Sequence, residues 1–121
     1  MHLKKFCLFF VLTIAIISCK KESNSIAIEY QLETSEVTGD HFFVSYVNEK
    51  GDTITQHEHP GWKYSFNAKG TFSAYLKAEV NPIDVYVLTI KILQNGSVVQ
   101  QKEISTASGG IKTLLLTHKA Y

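Results

Sequence analysis

The sequence predicts an all-β fold, a small antiparallel immunoglobulin-like sandwich of seven or eight strands that follows an N-terminal leader. From Ile26 onward the chain is rich in Val, Ile, Thr, Tyr and Phe, and apolar side chains alternate with polar ones at a period of two. Gly, Asn, Asp and Pro interrupt this pattern about every 8 to 12 residues, which is typical of short strands joined by turns. A closed eight-stranded barrel fits the same strand count and is the alternative.

The leader has the layout of a signal peptide. Lys4 and Lys5 form a basic head, and residues 6–17 are apolar except for Thr13. This run is shorter than the ~20 apolar residues that a membrane-spanning helix needs. We therefore expect residues 1–18 to be a signal peptide that is removed by cleavage.

The junction Ile16-Ile17-Ser18-Cys19 resembles the bacterial lipobox, in which a small residue directly precedes the modified cysteine. The resemblance implies that Cys19 receives a diacylglyceryl thioether, becomes the new N-terminus and is acylated on its amine, for example with palmitate. Two or more acyl chains, at ~0.8 kcal/mol per buried methylene, anchor a protein stably without spanning the membrane. Residues 19–25 would then be the lipidated cysteine and a polar tether, and residues 26–121 the β-sandwich domain. An ordinary secretory leader with a chance cysteine is the alternative.

Composition narrows the classes of partner. The chain has twelve lysines, no arginine and eleven acidic residues, and cleavage after residue 18 would leave ten lysines against those eleven acids. A nearly neutral domain without arginine is poorly suited to gripping phosphates, so we expect no nucleic-acid partner. Cys19 would be the only cysteine left, so no disulfide is expected and hydrophobic burial must hold the fold.

The first two predicted strands alternate clearly. Residues 26–33 place isoleucine, tyrosine and leucine on one face and carboxylates on the other, and residues 37–40 form the turn that follows. The inward set of the second strand is Phe42, Val44 and Tyr46. Phe43 and Val47 lie on the opposite face, so this strand is either covered on both sides or presents a surface aromatic.

The middle of the chain predicts a hairpin and then the strand that fills the core. Residues 48–52 form a loop whose glycine can adopt a positive φ angle, and the chain returns in a strand from Thr53. Residues 57–61 break that strand, because Pro60 has no N–H to donate. Trp62, Tyr64 and Phe66 then share one face, which we assign to the core. A ligand or glycan pocket is the alternative use of this aromatic stripe.

The C-terminal half predicts the remaining strands. The fifth begins near Phe72, and residues 81–84 form the loop after it. Residues 85–93 are the most β-prone segment and predict a central strand with Tyr86, Leu88, Ile90 and Ile92 inward. Asn95-Gly96 predicts a two-residue type I′ hairpin, since both central residues need positive φ. The returning strand is expected to add Val98 and Ile104 to the same buried face, and residues 111–118 supply the last strand.

Several strand and turn segments together resemble the MmpS-like β-sandwich proteins. The matching segments are Tyr30, residues 36–39, residues 44–48, Gly51, Trp62 and residues 89–99. In this chain Gly61 separates the proline and tryptophan that are adjacent in that pattern. The resemblance implies a membrane-tethered extracytoplasmic domain, like the mycobacterial members that assist lipid or siderophore exporters. Lys20-Lys21-Glu22 also resembles the start of Bacteroidota lipoproteins, which implies the outer membrane, facing either the periplasm or the cell surface.

Two groups of side chains are candidates for a site. His57 and His59 would point to the same side of an extended segment with Cα atoms about 6.6 to 6.8 Å apart, a spacing that zinc can bridge if His41 or His118 adds a ligand. A polar corner of exposed histidines is the simpler interpretation. Phe43, Tyr75 and Tyr121 are the candidates for an exposed contact surface, because each lies opposite an apolar set or after the last strand.

Two functions are compatible with this sequence. The first is a non-catalytic, lipid-anchored binding or accessory module that offers a sheet face or edge to an envelope or transporter protein. The second is a small metal-binding protein or metalloenzyme that uses His57 and His59. The sequence contains no recognisable pairing of a nucleophile, a base and an orienting group, so we expect no enzyme activity and no cofactor.

Overall fold

The computed structural model describes residues 25–121, so the predicted leader, Cys19 and residues 20–24 lie outside the described part of the chain. Eight strands form this part: β1 (Ser25–Thr34), β2 (Phe42–Val47), β3 (Thr53–Glu58), β4 (Lys63–Lys69), β5 (Phe72–Val80), β6 (Val87–Gln94), β7 (Ser97–Ser105) and β8 (Lys112–Ala120).

The strands form two antiparallel sheets of four. Sheet A has the order β4-β1-β6-β7, and sheet B has the order β3-β2-β5-β8. The predicted all-β sandwich is confirmed, and the strands do not close into a barrel. The fold shares the architecture of immunoglobulin-type sandwiches, in which two antiparallel sheets pack face to face, and it has its own strand order.

The core lies between the sheets and is built from the alternation seen in the sequence. Every second residue of β1, β2, β5 and β6 is buried, and Tyr30, Phe42, Leu76 and Ile90 are fully enclosed. The inward sets predicted for the second strand and for the central strand are confirmed. Tyr30 crosses the core, where its hydroxyl donates a hydrogen bond to the Val47 carbonyl oxygen at 2.7 Å.

The connections divide into two groups at opposite ends of the sandwich. We call the end that holds Ser25 the proximal end; it also contains the loops at residues 48–52, 70–71 and 95–96. The distal end contains the loops at residues 35–41, 59–62, 81–86 and 106–111. Because β1 runs from the proximal to the distal end, the path toward Cys19 leaves the domain on the side opposite the longer loops.

The hairpin between β6 and β7 forms as predicted, but β7 contains a β-bulge that was not predicted. Asn95 and Gly96 have φ angles of 51° and 83°, as a type I′ turn requires. A β-bulge then shifts the register, because Ile92 pairs with Gln100 while Leu93 pairs with Val98. The extra residue is Val99, which packs against the core, whereas Val98 is 49% exposed. The prediction that Val98 shares the buried face was therefore wrong, while Ile104 does pack against the core.

Several strand boundaries also differ from the sequence prediction. Strand β6 begins at Val87 and not at residue 85, and β8 spans Lys112–Ala120 and not residues 111–118. The strand from Thr53 does not stop before His57 but continues to Glu58, because His57 pairs with Phe43 on β2. Trp62 precedes β4 and is only partly buried, although it packs against the core and its ring lies 5.3 Å from that of Tyr46. Sheet A ends at β4, so this aromatic stripe closes the side of the sandwich and does not fill its centre.

Candidate functional site

The outer face of sheet B carries exposed apolar side chains. Phe43 on β2 is 49% exposed and Leu115 on β8 is 43% exposed. Tyr75 on β5 also faces outward, between buried Ala74 and Leu76, and is partly buried by its neighbours. Threonine and serine occupy most of the positions between them. This face also carries three charged side chains, Lys77 and Glu79 on β5 and Lys119 on β8. It therefore combines aromatic and aliphatic groups with a small number of charges, a composition that can support contact with another protein.

The outer face of sheet A differs because it carries more charged side chains, namely Glu29, Glu33, Lys63, Lys69, Lys91 and Glu103. Glu29 and Glu33 on β1 lie on this face, and Lys91 on β6 forms an ion pair with Glu33 at 2.8 Å. A hydrogen bond from the Ser65 hydroxyl to Glu29 at 2.8 Å extends the polar surface to β4. Charged and hydrated groups cost free energy to desolvate, so this face is the poorer contact surface. It is also the sheet that holds Ser25.

The distal end adds a second set of exposed apolar side chains. Val37 is 101% exposed, Ile83 90%, Val85 66% and Ile111 66%, and all four are on its loops. A surface pocket of about 340 Å³ joins this end to sheet B, and Phe43, Ile83 and Ile111 contribute its apolar wall. Glu79 and His41 lie at the same pocket. The apolar surface thus continues from the face of sheet B onto the loops.

The structure brings three of the candidate histidines together. His41 lies with its ring centroid 5.1 Å from that of His59 and 6.4 Å from that of His57. His118 is elsewhere, where its Nε2 is 2.8 Å from Gln94 Oε1. All three clustered histidines are exposed. Among residues 25–121, however, no group of three His, Cys, Asp or Glu side chains is arranged to hold a metal ion.

Asp40 is the buried charged group of the distal end, and the sequence pattern assigned it only to a turn. Its carboxylate accepts hydrogen bonds from the Tyr86 hydroxyl at 2.9 Å and from the Ile83 backbone N–H at 3.2 Å. Burial alone would raise the pKa of Asp40, but the hydrogen bonds from Tyr86, Ile83 and Asp84 outweigh it and lower the pKa. These hydrogen bonds join the loop at residues 35–41 to the loop at residues 81–86.

The three predicted contact residues do not form one site. Phe43 and Tyr75 share the outer face of sheet B. Phe43 pairs with Glu79, however, and Glu79 is four residues from Tyr75 along β5. Phe43 and Tyr75 are therefore about 13 Å apart in the strand direction. Tyr121 is 79% exposed at the proximal end, with the Lys119 ammonium 5.7 Å from its ring centroid. Sequence reasoning missed Leu115, because the run Leu114-Leu115-Leu116 does not reveal which leucine points outward.

Comparison with known protein-family models gives no match, and a search of curated proteins finds no relative. The similarity to the MmpS-like proteins therefore stays a prediction. Within residues 25–121 there is no helix of the length and hydropathy needed to cross a membrane.

Proposed function

We propose that this protein is a lipid-anchored extracytoplasmic binding or accessory module, which acts without catalysis by docking an envelope or membrane-protein partner on the outer face of sheet B. The observation that carries the proposal is the difference between the two outer faces. Phe43 and Leu115 are exposed on sheet B, whereas Glu29, Glu33 and Lys91 make the face of sheet A charged. A partner that binds sheet B removes apolar surface from water and desolvates fewer charges than on sheet A, namely Lys77, Glu79 and Lys119.

The anchor in this proposal is Cys19, lipidated and held in the outer membrane. Six peptide steps separate Cys19 from Ser25, so the tether spans at most about 20 Å. The domain therefore stays close to the membrane, with its tether leaving from sheet A. This arrangement keeps the face of sheet B available, and it agrees with the layout that the MmpS-like and Bacteroidota lipoprotein resemblances imply.

A photo-crosslinking experiment in intact cells tests the docking face. A photoreactive amino acid is placed at Phe43 or Tyr75 on sheet B, and at Gln31 or Lys91 on sheet A as matched controls. We expect a discrete adduct of one size from the sheet B positions and none from the sheet A positions. Equal adducts from both faces, or none from sheet B, would refute the docking face.

A labelling experiment tests the anchor separately. Labelled palmitate should enter the wild-type protein but not the Cys19→Ser variant, and the variant should leave the membrane fraction. If the variant is labelled as strongly as the wild type, Cys19 is not the acylated residue and the proposed localisation loses its basis.

Metal binding by His57 and His59 is the alternative function. The observation in its favour is the position of His41, since two imidazoles on one zinc ion have ring centroids about 5 Å apart when the Zn–N bonds are ~2.0–2.1 Å. Against it stands the lack of a three-ligand arrangement within residues 25–121. A zinc titration of the mature protein decides between them. One-to-one binding that His57→Ala and His41→Ala abolish, and His118→Ala does not, would support the metal site.

A further inference from the structure

We infer that β8 is a self-association strand, which pairs antiparallel with β8 of a second copy around a twofold axis at Leu115. Strand β8 is an outer strand of sheet B, and among residues 25–121 its backbone is hydrogen-bonded only to β5. Within this part of the chain its other edge has no backbone partner, and such an edge is a template for another strand. Pairing two copies would join the two B sheets into one sheet of eight strands.

The centre of strand β8 carries no protecting feature of its own, although β7 of sheet A runs close beside it. Strand β7 has the same length of nine residues, but its bulge at Val99 and its charged Lys102-Glu103 pair interrupt the edge. Strands β3 and β4 are shorter, with six and seven residues. From Thr113 to Thr117, β8 contains no charge, proline or bulge. Natural edges usually carry one of these features to prevent association, and the centre of β8 has none of them.

The sequence of β8 is self-complementary about Leu115. Thr113-Leu114-Leu115-Leu116-Thr117 reads the same in both directions. In an antiparallel pair centred on Leu115, each threonine lies opposite the other copy's threonine, and Leu114 lies opposite Leu116. An isologous twofold interface requires such self-complementarity, because the same surface is used by both copies.

The outward residues of this segment fit the interface. Leu115 is 43% exposed, and Thr113 and Thr117 are also exposed, so all three lie on the outer face of sheet B. Pairing would place the two Leu115 side chains side by side and bury part of their exposed surface. The facing threonines would add cross-strand contacts of the kind that stabilise antiparallel sheets. No lysine of one β8 strand would lie opposite a lysine of the other, because this register places Lys112 opposite His118.

The inference goes beyond the proposed function and does not depend on it. Antiparallel pairing points the two proximal ends in opposite directions, with both A sheets on the same side of the joined B sheet. Both tethers then leave from that side, so the two anchors are compatible with one membrane. The outer faces of both B sheets become one continuous surface.

Cysteine cross-linking in the full chain in its native membrane tests the pairing and its register. Directly opposed residues in an antiparallel pair have Cα atoms about 4.5 to 5.5 Å apart, within the range for a disulfide. We therefore expect Leu115→Cys to form a disulfide dimer on mild oxidation. The double variant Thr113→Cys/Thr117→Cys should also form one, while each single threonine variant should not. Gln101→Cys on β7 controls for random collision, and the unmodified chain controls for Cys7 and Cys19.

A charge variant in the same assay checks that the dimer depends on the β8 edge. Adding Leu115→Lys to the Thr113→Cys/Thr117→Cys protein sets two like charges side by side, and the dimer yield should fall roughly fivefold or more. Adding Gln101→Lys, an equal change of charge on β7, should leave the yield unchanged. Cross-linking of Leu115→Cys no stronger than that of Gln101→Cys would overturn the pairing. Efficient cross-linking of Thr113→Cys alone would overturn its register.

Discussion

Replacement of Asp40 by asparagine tests how the distal loops are held together. The buried carboxylate accepts two well-formed hydrogen bonds, from the Tyr86 hydroxyl at 2.9 Å and the Ile83 N–H at 3.2 Å, and a longer one from the Asp84 N–H at 3.5 Å. Hydrogen bonds to a charged acceptor contribute about 1.5 to 3 kcal/mol and those to a neutral one about 0.5 to 1.5 kcal/mol. Losing about 1 kcal/mol at each of the two shorter bonds predicts that Asp40→Asn lowers the free energy of unfolding by about 2 kcal/mol.

The pH dependence of the difference in unfolding free energy between wild type and Asp40→Asn shows whether the Asp40 charge causes it. The pKa of Asp40 is lower in the folded protein than its ordinary value of about 3.9, so its ionised form adds stability at pH 7. That stability is lost as the pH falls below about 4 and through the folded pKa. Denaturant unfolding of wild type and Asp40→Asn should therefore give a difference that narrows between pH 7 and about pH 3. Glu36→Gln, in the same loop but exposed, is the control and should have little effect.

A difference between wild type and Asp40→Asn that stays constant from pH 7 to pH 3 would refute the role of the charge. A variant as stable as the wild type at pH 7 would refute the hydrogen-bond argument itself. In the second case the distal loops would owe their conformation to packing around the Tyr86 ring.

Three further predictions concern stability and use thermal or denaturant unfolding. Trp62→Ala should lower the free energy of unfolding by about 2 to 3 kcal/mol. This is at or below the ~3–5 kcal/mol typical of a buried aromatic residue, because Trp62 is only partly buried. An unchanged melting temperature would contradict its packing on the core. Gly96→Val should clearly destabilise the folded domain, since a φ of 83° disfavours a β-branched residue. Gly96→Asn should be tolerated far better. Equal stability of the two variants would argue against the type I′ turn. Tyr30→Phe should cost about 1 to 2 kcal/mol by leaving the Val47 carbonyl without its donor, and a neutral result would mean that water replaces the hydroxyl.

The period-two pattern was sufficient to predict most strands and their inward faces, because burial on one side of a sheet imposes that period directly. Asn95-Gly96 could be located for a similar reason, since few residue pairs accept two positive φ angles. The bulge at Val99 could not be predicted, because Val98 and Val99 are both apolar and only the pairing with β6 decides which one points inward.

The site was less predictable than the fold, since its residues meet through long-range pairing. His41 and His59 are separated by a whole hairpin, and their proximity follows from the pairing of β2 with β3. Asp40 and Tyr86 lie in different loops, and neither has a sequence signal for a buried hydrogen bond. The exposed position of Leu115 depends on its place opposite Lys77 of β5, which the alternation in β8 alone does not reveal.

The order of strands in the two sheets has a consequence for how the chain folds. Only the β2–β3 and β6–β7 connections join strands that are hydrogen-bonded neighbours; the other five cross from one sheet to the other. Strand β1 cannot complete its pairing before β6 is available, and β5 must wait for β8. Contacts so distant in sequence make folding slow, because long loops must close before these strands can pair. We therefore expect a nascent chain to stay unfolded until β8 emerges, a state that would suit the export that the proposed localisation requires.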